Sequence, residues 1–531
     1  MEVLEKEILK RRTFGIISHP DAGKTTLTEK LLLFGGAIPQ AGAVKSNKIR
    51  KGATSDFMEI ERQRGISVAT SVLAFHYNEK KINILDTPGH KDFAEDTYRT
   101  LTAVDSVIVV IDGAKGVEEQ TKKLVEVCRM RSIPMIVFIN KMDRNALDSF
   151  DLFDQLEEHL KLHPVPITFP IGDGLDFKGI YHISNDTIML FSSDDKQHLP
   201  TYELIEHLDS PQVIAAIGAQ HSKDLHEHTE VVKELYPMFE ISKYLNGEIH
   251  PIMFGSALKN FGVKELLDTL IEIAPHPKPQ HSENREVQPT EKNFSGFVFK
   301  IHANMDPKHR DRLAFLKIVS GTFRRNTPYH HVRLNKKLKF SSPNAFFAEK
   351  RKIVETSYPG DIIGLHDTGN FKIGDSLTDG EKLVFKGIPS FSPEHFRYII
   401  NQNPLKTKQL NKGIDQLMDE GVAQLFTLQI NGRQIIGTVG ILQFEVIQYR
   451  LLHEYGAECS YEMLPVYKAC WIDQNSQSED LMAFLKLKQK FLAFDKNNQL
   501  VFLADSKFTL SHTQQKFPKV KFHFQSEFDA D

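Results

Sequence analysis

Several features are scarce in this sequence, and each shortage excludes a class of protein. The 531 residues include three cysteines (Cys128, Cys459 and Cys470) and one tryptophan. Cysteines this few and this scattered exclude a disulfide-rich scaffold or a zinc module, and they are typical of a reducing cytosol. No apolar run approaches the ~18 residues of a membrane span, and residues 1–12 lack the apolar centre of a signal peptide. We therefore expect a cytoplasmic protein that does not contact a membrane.

An excess of charge of either sign is also missing. Lys and Arg number 66 against 69 Asp and Glu, which gives a formal net charge of −3. This balance excludes a protein that coats nucleic acid through bulk positive charge, and we expect no binding to DNA. Hydrophobic residues make up 40% of the chain, which is ample for several cores. At about 150 residues per domain, the length predicts about three to four domains, and we expect the chain to act as a monomer.

The first part of the chain alternates short apolar runs with helical stretches. The apolar runs are residues 14–17, 82–85, 107–111 and 135–139, and a further run, 251–254, follows much later. Continuous apolar runs separated by helices favour an α/β domain whose parallel sheet is buried on both faces. Polar motifs follow these runs directly. Because α/β sheets bind ligands at the carboxyl ends of their strands, we expect one ligand site at that edge.

The pattern changes farther along the chain, which predicts further domains. Residues 145–250 are more polar and form an insertion within an N-terminal domain of residues 1–278, with no role that chemistry assigns. Residues 279–290 are rich in proline and charge and are predicted to be a linker. Short β-rich runs with glycine turns predict a β-barrel domain over 291–388. Mixed helical and strand patterns predict a C-terminal α+β domain over 389–531.

The first polar motif is nearly a phosphate-binding loop. It consists of Ser18, His19, Pro20, Asp21, Ala22, Gly23, Lys24 and Thr25, and Thr26 follows it. Ser18 stands where the usual pattern has its first glycine. Backbone N–H groups and the next helix would bind phosphate oxygens, Lys24 would neutralise the β and γ phosphates, and the Thr25 hydroxyl would bind Mg²⁺. Taken alone, the motif is also compatible with a chance strand–turn–helix.

The second motif is Asp86, Thr87, Pro88, Gly89 and His90. Asp86 is placed to hold Mg²⁺, directly or through water. Gly89 can bring its N–H to the γ-phosphate because it has no side chain, and His90 could orient the attacking water. The alternative interpretation of His90 is an ordinary surface histidine that follows a strand.

The third motif is Asn140, Lys141, Met142 and Asp143. The Asp143 carboxylate can accept from both N1–H and the N2 amino group of guanine, whereas adenine has no such pair of donors. The Lys141 stem can lie along the base, and Asn140 would tie the loops together. Backbone donors for guanine O6 could come from Ser256 and Ala257. The motifs occur in the order that a P-loop GTPase domain requires, and they predict binding of GTP or GDP with Mg²⁺.

A first switch region is expected between the first two motifs, at residues 61–67. A hydroxyl side chain there would bind Mg²⁺ only while the γ-phosphate is present. Ser67 is our candidate for this ligand, and Thr70 is the competing one. An ordinary exposed loop residue is the remaining alternative.

Together these motifs resemble those of the translational GTPases that act on the ribosome. The stretches that carry the resemblance are residues 64–67, 86–90 and 140–143, and residues 18–25, 92–103 and 303–312 are most similar to the class II release factors of that family. The resemblance implies a ribosome-stimulated GTPase that acts after peptide release. Its partners would be ribosomal RNA and proteins and the stop-codon-reading release factors, whose departure it would promote.

The resemblance also implies catalytic roles for three residues. His90 matches the water-orienting histidine, Asp21 matches a loop aspartate that organises the site, and Lys24 matches the phosphate-binding lysine. Another translational GTPase, translocase-like or ribosome-protecting, is the nearest alternative. Elongation factor G is similar but longer, so the length leads us to expect that this chain is not a translocase. A binding module that does not hydrolyse its nucleotide is the alternative from another class, and His90 and Thr25 disfavour it.

Overall fold

The structure of the 531-residue chain is a computed structural model. It describes residues 3–38, 69–191, 202–303, 312–347, 350–387, 392–473 and 479–524, and the statements below concern those residues. Within these ranges, no helix is both long enough and apolar enough to cross a membrane.

The N-terminal part alternates strands and helices. Its helices are α1 (Val3–Leu9), α2 (Lys24–Phe34), α3 (Ala94–Thr100), α4 (Glu119–Met130), α5 (Ser149–Leu160), α6 (Pro211–Ile217), α7 (Ala219–Leu235), α8 (Ile241–Leu245) and α9 (Val263–Ile273). Its strands are β1 (Arg11–Ser18), β2 (Ser71–Tyr77), β3 (Lys80–Asp86), β4 (Ser106–Asp112), β5 (Met135–Asn140), β6 (Pro164–Pro166), β7 (Thr168–Ile171), β8 (Gly179–His182), β9 (Thr187–Phe191), β10 (Tyr202–Glu206) and β11 (His250–Phe254).

Six of these strands form a parallel sheet in the order β3-β1-β4-β5-β11-β6, and β2 pairs with β3 in the antiparallel direction. Strand β4 shows why these strands are continuously apolar. Val107, Val109 and Ile111 belong to the core on one face of the sheet, whereas Ile108 and Val110 belong to the core on the other. Each such buried side chain stabilises the fold by about 1.5–3 kcal/mol. The predicted α/β domain with a parallel sheet is confirmed.

Between β6 and β11 the chain leaves this sheet. Strands β7 to β10 form a separate antiparallel sheet in the order β10-β9-β8-β7, and helices α6 and α7 follow. Helix α6 begins after Ser210, whose hydroxyl accepts from the Gln212 N–H, and Pro211 fits the first helical turn because it lacks an N–H. The chain then returns to the parallel sheet through β11, which brings residues 255–257 to the edge where the other motifs lie.

The central part of the chain is rich in antiparallel strands, as predicted. They are β12 (Gln280–His281), β13 (Glu286–Val287), β14 (Ser295–Ala303), β15 (Arg312–Ser320), β16 (Phe323–Arg324), β17 (Pro328–His331), β18 (Lys336–Lys339), β19 (Asn344–Phe347), β20 (Lys350–Ile353), β21 (Thr356–Ser357), β22 (Ile362–Asp367) and β23 (Ser376–Thr378). Aromatic rings fill their core, where Tyr329 lies 4.4 Å from Phe294 and 5.0 Å from Phe323 between ring centroids.

The C-terminal part combines helices with one antiparallel sheet, which confirms the predicted α+β class. Its elements are β24 (His395–Asn401), α10 (Thr407–Asp419), β25 (Gln424–Leu428), β26 (Gln434–Thr438), α11 (Leu442–Tyr455), β27 (Cys459–Met463), β28 (Lys468–Ile472), α12 (Glu479–Lys488), β29 (Leu492–Asp495), β30 (Leu500–Ala504), α13 (Lys507–Lys516) and β31 (Phe522–His523). The sheet order is β27-β24-β26-β25-β29-β30-β28-β31.

Buried charge pairs join the β-rich part to the parallel sheet. Asp361 is fully buried and binds Arg11 Nε at 3.0 Å and Lys81 Nζ at 2.8 Å, and Lys317 Nζ binds Asp105 Oδ2 at 2.9 Å. Burial alone would raise the pKa of the Asp361 carboxyl, but Lys81 and Arg11 hold it below its ordinary value. Arg11 and Lys81 lie at the amino ends of β1 and β3. The carboxyl ends of these strands, at the opposite edge, therefore remain available for the site.

Candidate nucleotide-binding site

Five strands of the parallel sheet bring polar motifs to the same edge. β1 ends at Ser18, β3 at Asp86, β4 at Asp112, β5 at Asn140 and β11 at Phe254. Their parallel pairing places all five carboxyl ends on one side, where α/β sheets bind ligands.

The loop after β1 leads directly into helix α2. Asp21 (φ 65°) and Gly23 (φ 100°) both have left-handed backbone conformations. A Cβ on Gly23 would lie 2.3 Å from Nδ2 of Asn140, so a side chain cannot be accommodated there. The Leu27 N–H donates to the Gly23 carbonyl at 2.9 Å, which starts the helix. The loop and the helix N-terminus together form the kind of anion site that binds phosphate.

Lys24 and Asp86 form a buried ion pair at this edge. Lys24 Nζ donates to Oδ1 of Asp86, and the two side chains are 5% and 1% exposed. The other carboxylate oxygen, Oδ2, is buried and has no hydrogen-bond partner among the described residues. A buried carboxylate oxygen is costly unless a donor or a cation satisfies it. Oxygen ligands suit Mg²⁺, and Thr25 supplies a hydroxyl on the first turn of α2, so these residues fit the ion.

The loop after β3 lies against the loop after β1. Thr87 Oγ1 donates to the carbonyl of Ile16 at 2.7 Å. A Cβ on Gly89 would lie 3.5 Å from Cα of Pro20 and 3.5 Å from the Ser18 carbonyl oxygen, so the two backbones are close neighbours here. An N–H of this loop can therefore approach a phosphate that is held by the first loop.

His90 follows directly and begins a 3₁₀ turn over Lys91–Phe93. Its ring Nδ1 accepts from the Asp92 N–H at 3.2 Å, and the side chain is 27% exposed. The Thr97 hydroxyl donates to the Pro88 carbonyl at 3.0 Å and anchors the start of the same segment. The imidazole is thus hydrogen-bonded to its own loop and is partly exposed.

Asn140 joins three loops through its side-chain amide. Nδ2 donates to the Ala22 carbonyl at 2.9 Å, and Oδ1 accepts from the Ala257 N–H at 2.8 Å. Asn140 is buried, so both bonds are shielded from water. A single side chain therefore fixes the first loop, the end of β5 and the loop after β11 relative to one another.

The remaining polar groups of the third motif face the same loops. Lys141 (φ 69°) donates from Nζ to the Asp21 carbonyl at 2.5 Å and to Asp112 Oδ2 at 2.6 Å. Ser256 Oγ donates to Asp143 Oδ1 at 2.5 Å. The Ser256 hydroxyl therefore orients the Asp143 carboxylate at the edge where the other motifs lie.

Four other predicted site residues lie close to the same loops. Met142 is 1% exposed and belongs to the core, so it packs the loop against the core of the domain. Ser18 Oγ donates to the His19 carbonyl at 2.8 Å, and His19 Nε2 lies 3.3 Å from Glu118 Oε1. Thr26 is half-buried on the first turn of α2.

The two candidates for the switch ligand have different outcomes. Ser67 lies outside the described residues. The Thr70 N–H and hydroxyl both donate to Asp96 Oδ2 at 2.7 Å, and its Oγ1 lies 2.8 Å from Oγ1 of Thr100. Burial alone would raise the pKa of Asp96, but Lys300 and the Thr70 bonds hold it below its ordinary value. The Thr70 hydroxyl is thus bound by a carboxylate in this structure, and the choice of switch ligand stays a prediction.

Sequence reasoning missed Asp112, Glu118 and Asp92. Asp112 could have been found, because it ends an apolar strand at the same edge as the three motifs. Glu118 and Asp92 carry no such signal, since their partners become visible only once the loops are folded.

Comparisons with known proteins identify the families of three parts of the chain. Residues 9–276 match the elongation factor Tu GTP binding domain, residues 293–380 match elongation factor G domain 2, and residues 385–514 match the C-terminal domain of class II release factor RF3. The fold is similar to the crystal structure of a Thermus thermophilus protein, ttk003000868. The TM-score is 0.70 at 20% identity, over 88% of this chain and 71% of that chain. At this identity the likeness concerns the fold alone.

Proposed function

We propose that this chain, which belongs to the class II release factor RF3 family of translational GTPases, promotes the departure of stop-codon-reading release factors from the ribosome after peptide release. It works in the cytoplasm, and the ribosome stimulates its GTP hydrolysis through contacts with ribosomal RNA and proteins. The match of residues 385–514 to the RF3 C-terminal domain is the observation that carries the assignment to termination.

Guanine is selected by Asp143. Its carboxylate accepts from N1–H and from the N2 amino group, and Ser256 holds the carboxylate through Oγ. Lys141 lies along the base and is fixed between the Asp21 carbonyl and Asp112. Adenine has no matching pair of donors, so the Asp143 carboxylate would lack partners on the base and ATP would bind more weakly.

The phosphates lie on the loop before α2. Loop N–H groups and the Lys24 ammonium balance the phosphate charge. Because Lys24 is ion-paired with Asp86 in this structure, that pair must separate when the phosphates bind. Thr25 and Asp86 would hold a magnesium ion, which would supply positive charge to neutralise the phosphates. Asp21 keeps the loop in its left-handed turn.

His90 orients the attacking water toward the γ-phosphate, which Gly89 approaches through its N–H. Hydrolysis at such a site depends on positioning and charge stabilisation and remains slow until a partner completes the arrangement. Reorientation of the imidazole requires that Nδ1 leave the Asp92 N–H to which it is bound here. Ribosome binding supplies that reorientation, and hydrolysis then allows the factor itself to leave.

The test measures the departure of a fluorescent stop-codon release factor from ribosomes on which the peptide has already been released. With GTP present and fewer wild-type molecules than ribosomal complexes, the protein is expected to remove the release factor from all the complexes through repeated rounds. His90→Ala is expected to clear about one release factor per molecule and then remain bound. Lys24→Ala, which cannot hold the phosphates, is the control and should clear none.

Unchanged departure with wild-type protein would contradict the proposal. Stimulated movement of transfer RNA in a translocation assay would favour the translocase-like alternative instead.

A further inference from the structure

Residues 90–101, hereafter the His90 segment, lie between the nucleotide site and the C-terminal part of the chain. The segment includes His90, the 3₁₀ turn and helix α3. Its charged side chains contact residues that are several hundred positions away in the sequence. These contacts connect the GTPase site to the domain that distinguishes this family.

The first contact is made by Asp92 with the start of helix α11. Asp92 Oδ2 accepts from the Leu442 N–H at 2.8 Å, and Leu442 is the first residue of that helix. The preceding residue, Ile441, provides no side-chain cap of its own. A carboxylate at a helix N-terminus satisfies a free N–H and interacts favourably with the helix dipole. Asp92 therefore caps a helix of the C-terminal domain.

Gly440 makes this approach possible. A Cβ there would lie 2.1 Å from Cγ of Asp92 and 2.5 Å from its Cα, which is closer than any side chain allows. The turn is held from within its own domain, because the Gly440 N–H donates to Oε1 of Gln443 at 2.9 Å. Gly440 does not have a left-handed backbone, so an alanine there would act through the contact with Asp92.

A second contact repeats the arrangement farther along the segment. Arg99 Nη1 donates to the Gly421 carbonyl at 2.9 Å, and a Cβ on Gly421 would lie 1.9 Å from that nitrogen. Asp96, between the two contacts, binds Lys300 of the β-rich part at 2.8 Å. Three side chains of the His90 segment are thus held by other parts of the molecule, and the segment cannot move while they are engaged.

Asp92 also connects this docking to the imidazole. Its N–H donates to His90 Nδ1 at 3.2 Å, and its Oδ1 lies 3.5 Å from the same nitrogen. The carboxylate of Asp92 is fixed by Leu442, and Gly440 packs against its backbone. We propose that Asp92 is a positioning residue through which the docked C-terminal domain holds His90 against its own loop and keeps hydrolysis slow until the domain undocks. This inference rests on the GTPase role that we propose for His90.

The test measures GTP hydrolysis in single turnover without ribosomes, with the full chain. Gly440→Ala, which forces the turn away from Asp92, is expected to raise the rate about tenfold, equivalent to about 1.4 kcal/mol of barrier. Ile441→Ala is the matched control, because Ile441 lies in the same turn, is 51% exposed and should leave the rate unchanged. Amide exchange within residues 92–101 should be faster in Gly440→Ala only.

Two further variants distinguish positioning from simple loosening of the fold. Adding His90→Ala to Gly440→Ala should abolish the gain, because the effect acts through the imidazole. Asp92→Ala should raise the rate as Gly440→Ala does, whereas Asp92→Asn keeps an oxygen that can accept from Leu442 and should remain near the wild-type rate. The two Asp92 variants test the inference if Gly440→Ala does not fold.

If the wild-type protein hydrolyses GTP but neither Gly440→Ala nor Asp92→Ala hydrolyses it faster, the inference is overturned and the proposed function remains intact. A gain that persists without His90 would also overturn it. If the wild-type protein hydrolyses no GTP with or without ribosomes, the proposed function itself fails, and the inference fails with it.

Discussion

The close contact between Gly23 and Asn140 gives the most quantitative test of the nucleotide site. Gly23→Ala adds a Cβ that would lie 2.3 Å from Asn140 Nδ2, in a residue whose φ is 100°. The side chain of Asn140 must then move, which breaks its bonds to Ala22 and Ala257. At about 1 kcal/mol for each hydrogen bond, nucleotide binding should weaken by about 2 kcal/mol, or about 30-fold.

A second glycine separates this contact from backbone strain. Gly36 has φ 66°, but a Cβ there would meet nothing within 4 Å. Gly36→Ala should therefore share the cost of a left-handed alanine, about 1–2 kcal/mol of stability, without affecting the site. Titration with a fluorescent GDP analogue, paired with thermal unfolding, compares the two variants. Wild-type affinity in Gly23→Ala, or an equal loss of affinity in Gly36→Ala, would refute the reasoning.

Three other predictions concern single side chains. Asp143→Asn should weaken GTP binding about 100-fold and should improve binding of XTP, whose base carries a carbonyl in place of the N2 amino group. If the variant binds GTP and XTP with the same affinities as wild type, the assignment is contradicted. Asp112→Asn removes the charged partner of Lys141 and should lower GDP affinity about fivefold, as measured by the same titration. Burial lowers the pKa of His250 to about 4, so the unfolded chain binds a proton that the folded chain excludes between about pH 6.5 and about pH 4. This histidine therefore contributes stability that is complete above the window and falls by about 2 kcal/mol from about pH 7.5 to about pH 5. In urea unfolding, His250→Gln should lose about 2 kcal/mol less than wild type over this range, whereas His276, whose pKa burial also lowers to about 4, keeps its own contribution in both proteins.

The parallel sheet could be predicted from sequence because its strands are buried on both faces. Continuous runs such as residues 107–111 need no alternation, and each run is followed by a polar motif. Cys128 shows the same logic for helices, since it lies four residues from Leu124, on the same helix face, and both side chains lie in one apolar cluster. The grouping of the site motifs at one edge follows from parallel pairing, although the chemical roles of those residues stay predictions.

The contacts between domains could not be read from the sequence. Gly440 looks like an ordinary turn glycine, and only the fold shows that Asp92 occupies the space where its side chain would be. The Arg99 contact with the Gly421 carbonyl is equally hidden, because the two residues are far apart in the sequence and neither belongs to a motif that pairs them. Such features arise when two distant surfaces meet, and local patterns carry no information about that meeting.

We propose that the His90 site is a ribosome-stimulated GTPase. The decisive measurement is phosphate release from GTP and from ATP, with and without ribosomes, for wild type and for His90→Ala. We predict slow release from GTP alone, strong stimulation by ribosomes, no release from ATP, and loss of the stimulated rate in His90→Ala. Hydrolysis that ribosomes leave unchanged, or a stimulated rate that survives in His90→Ala, would contradict the claim.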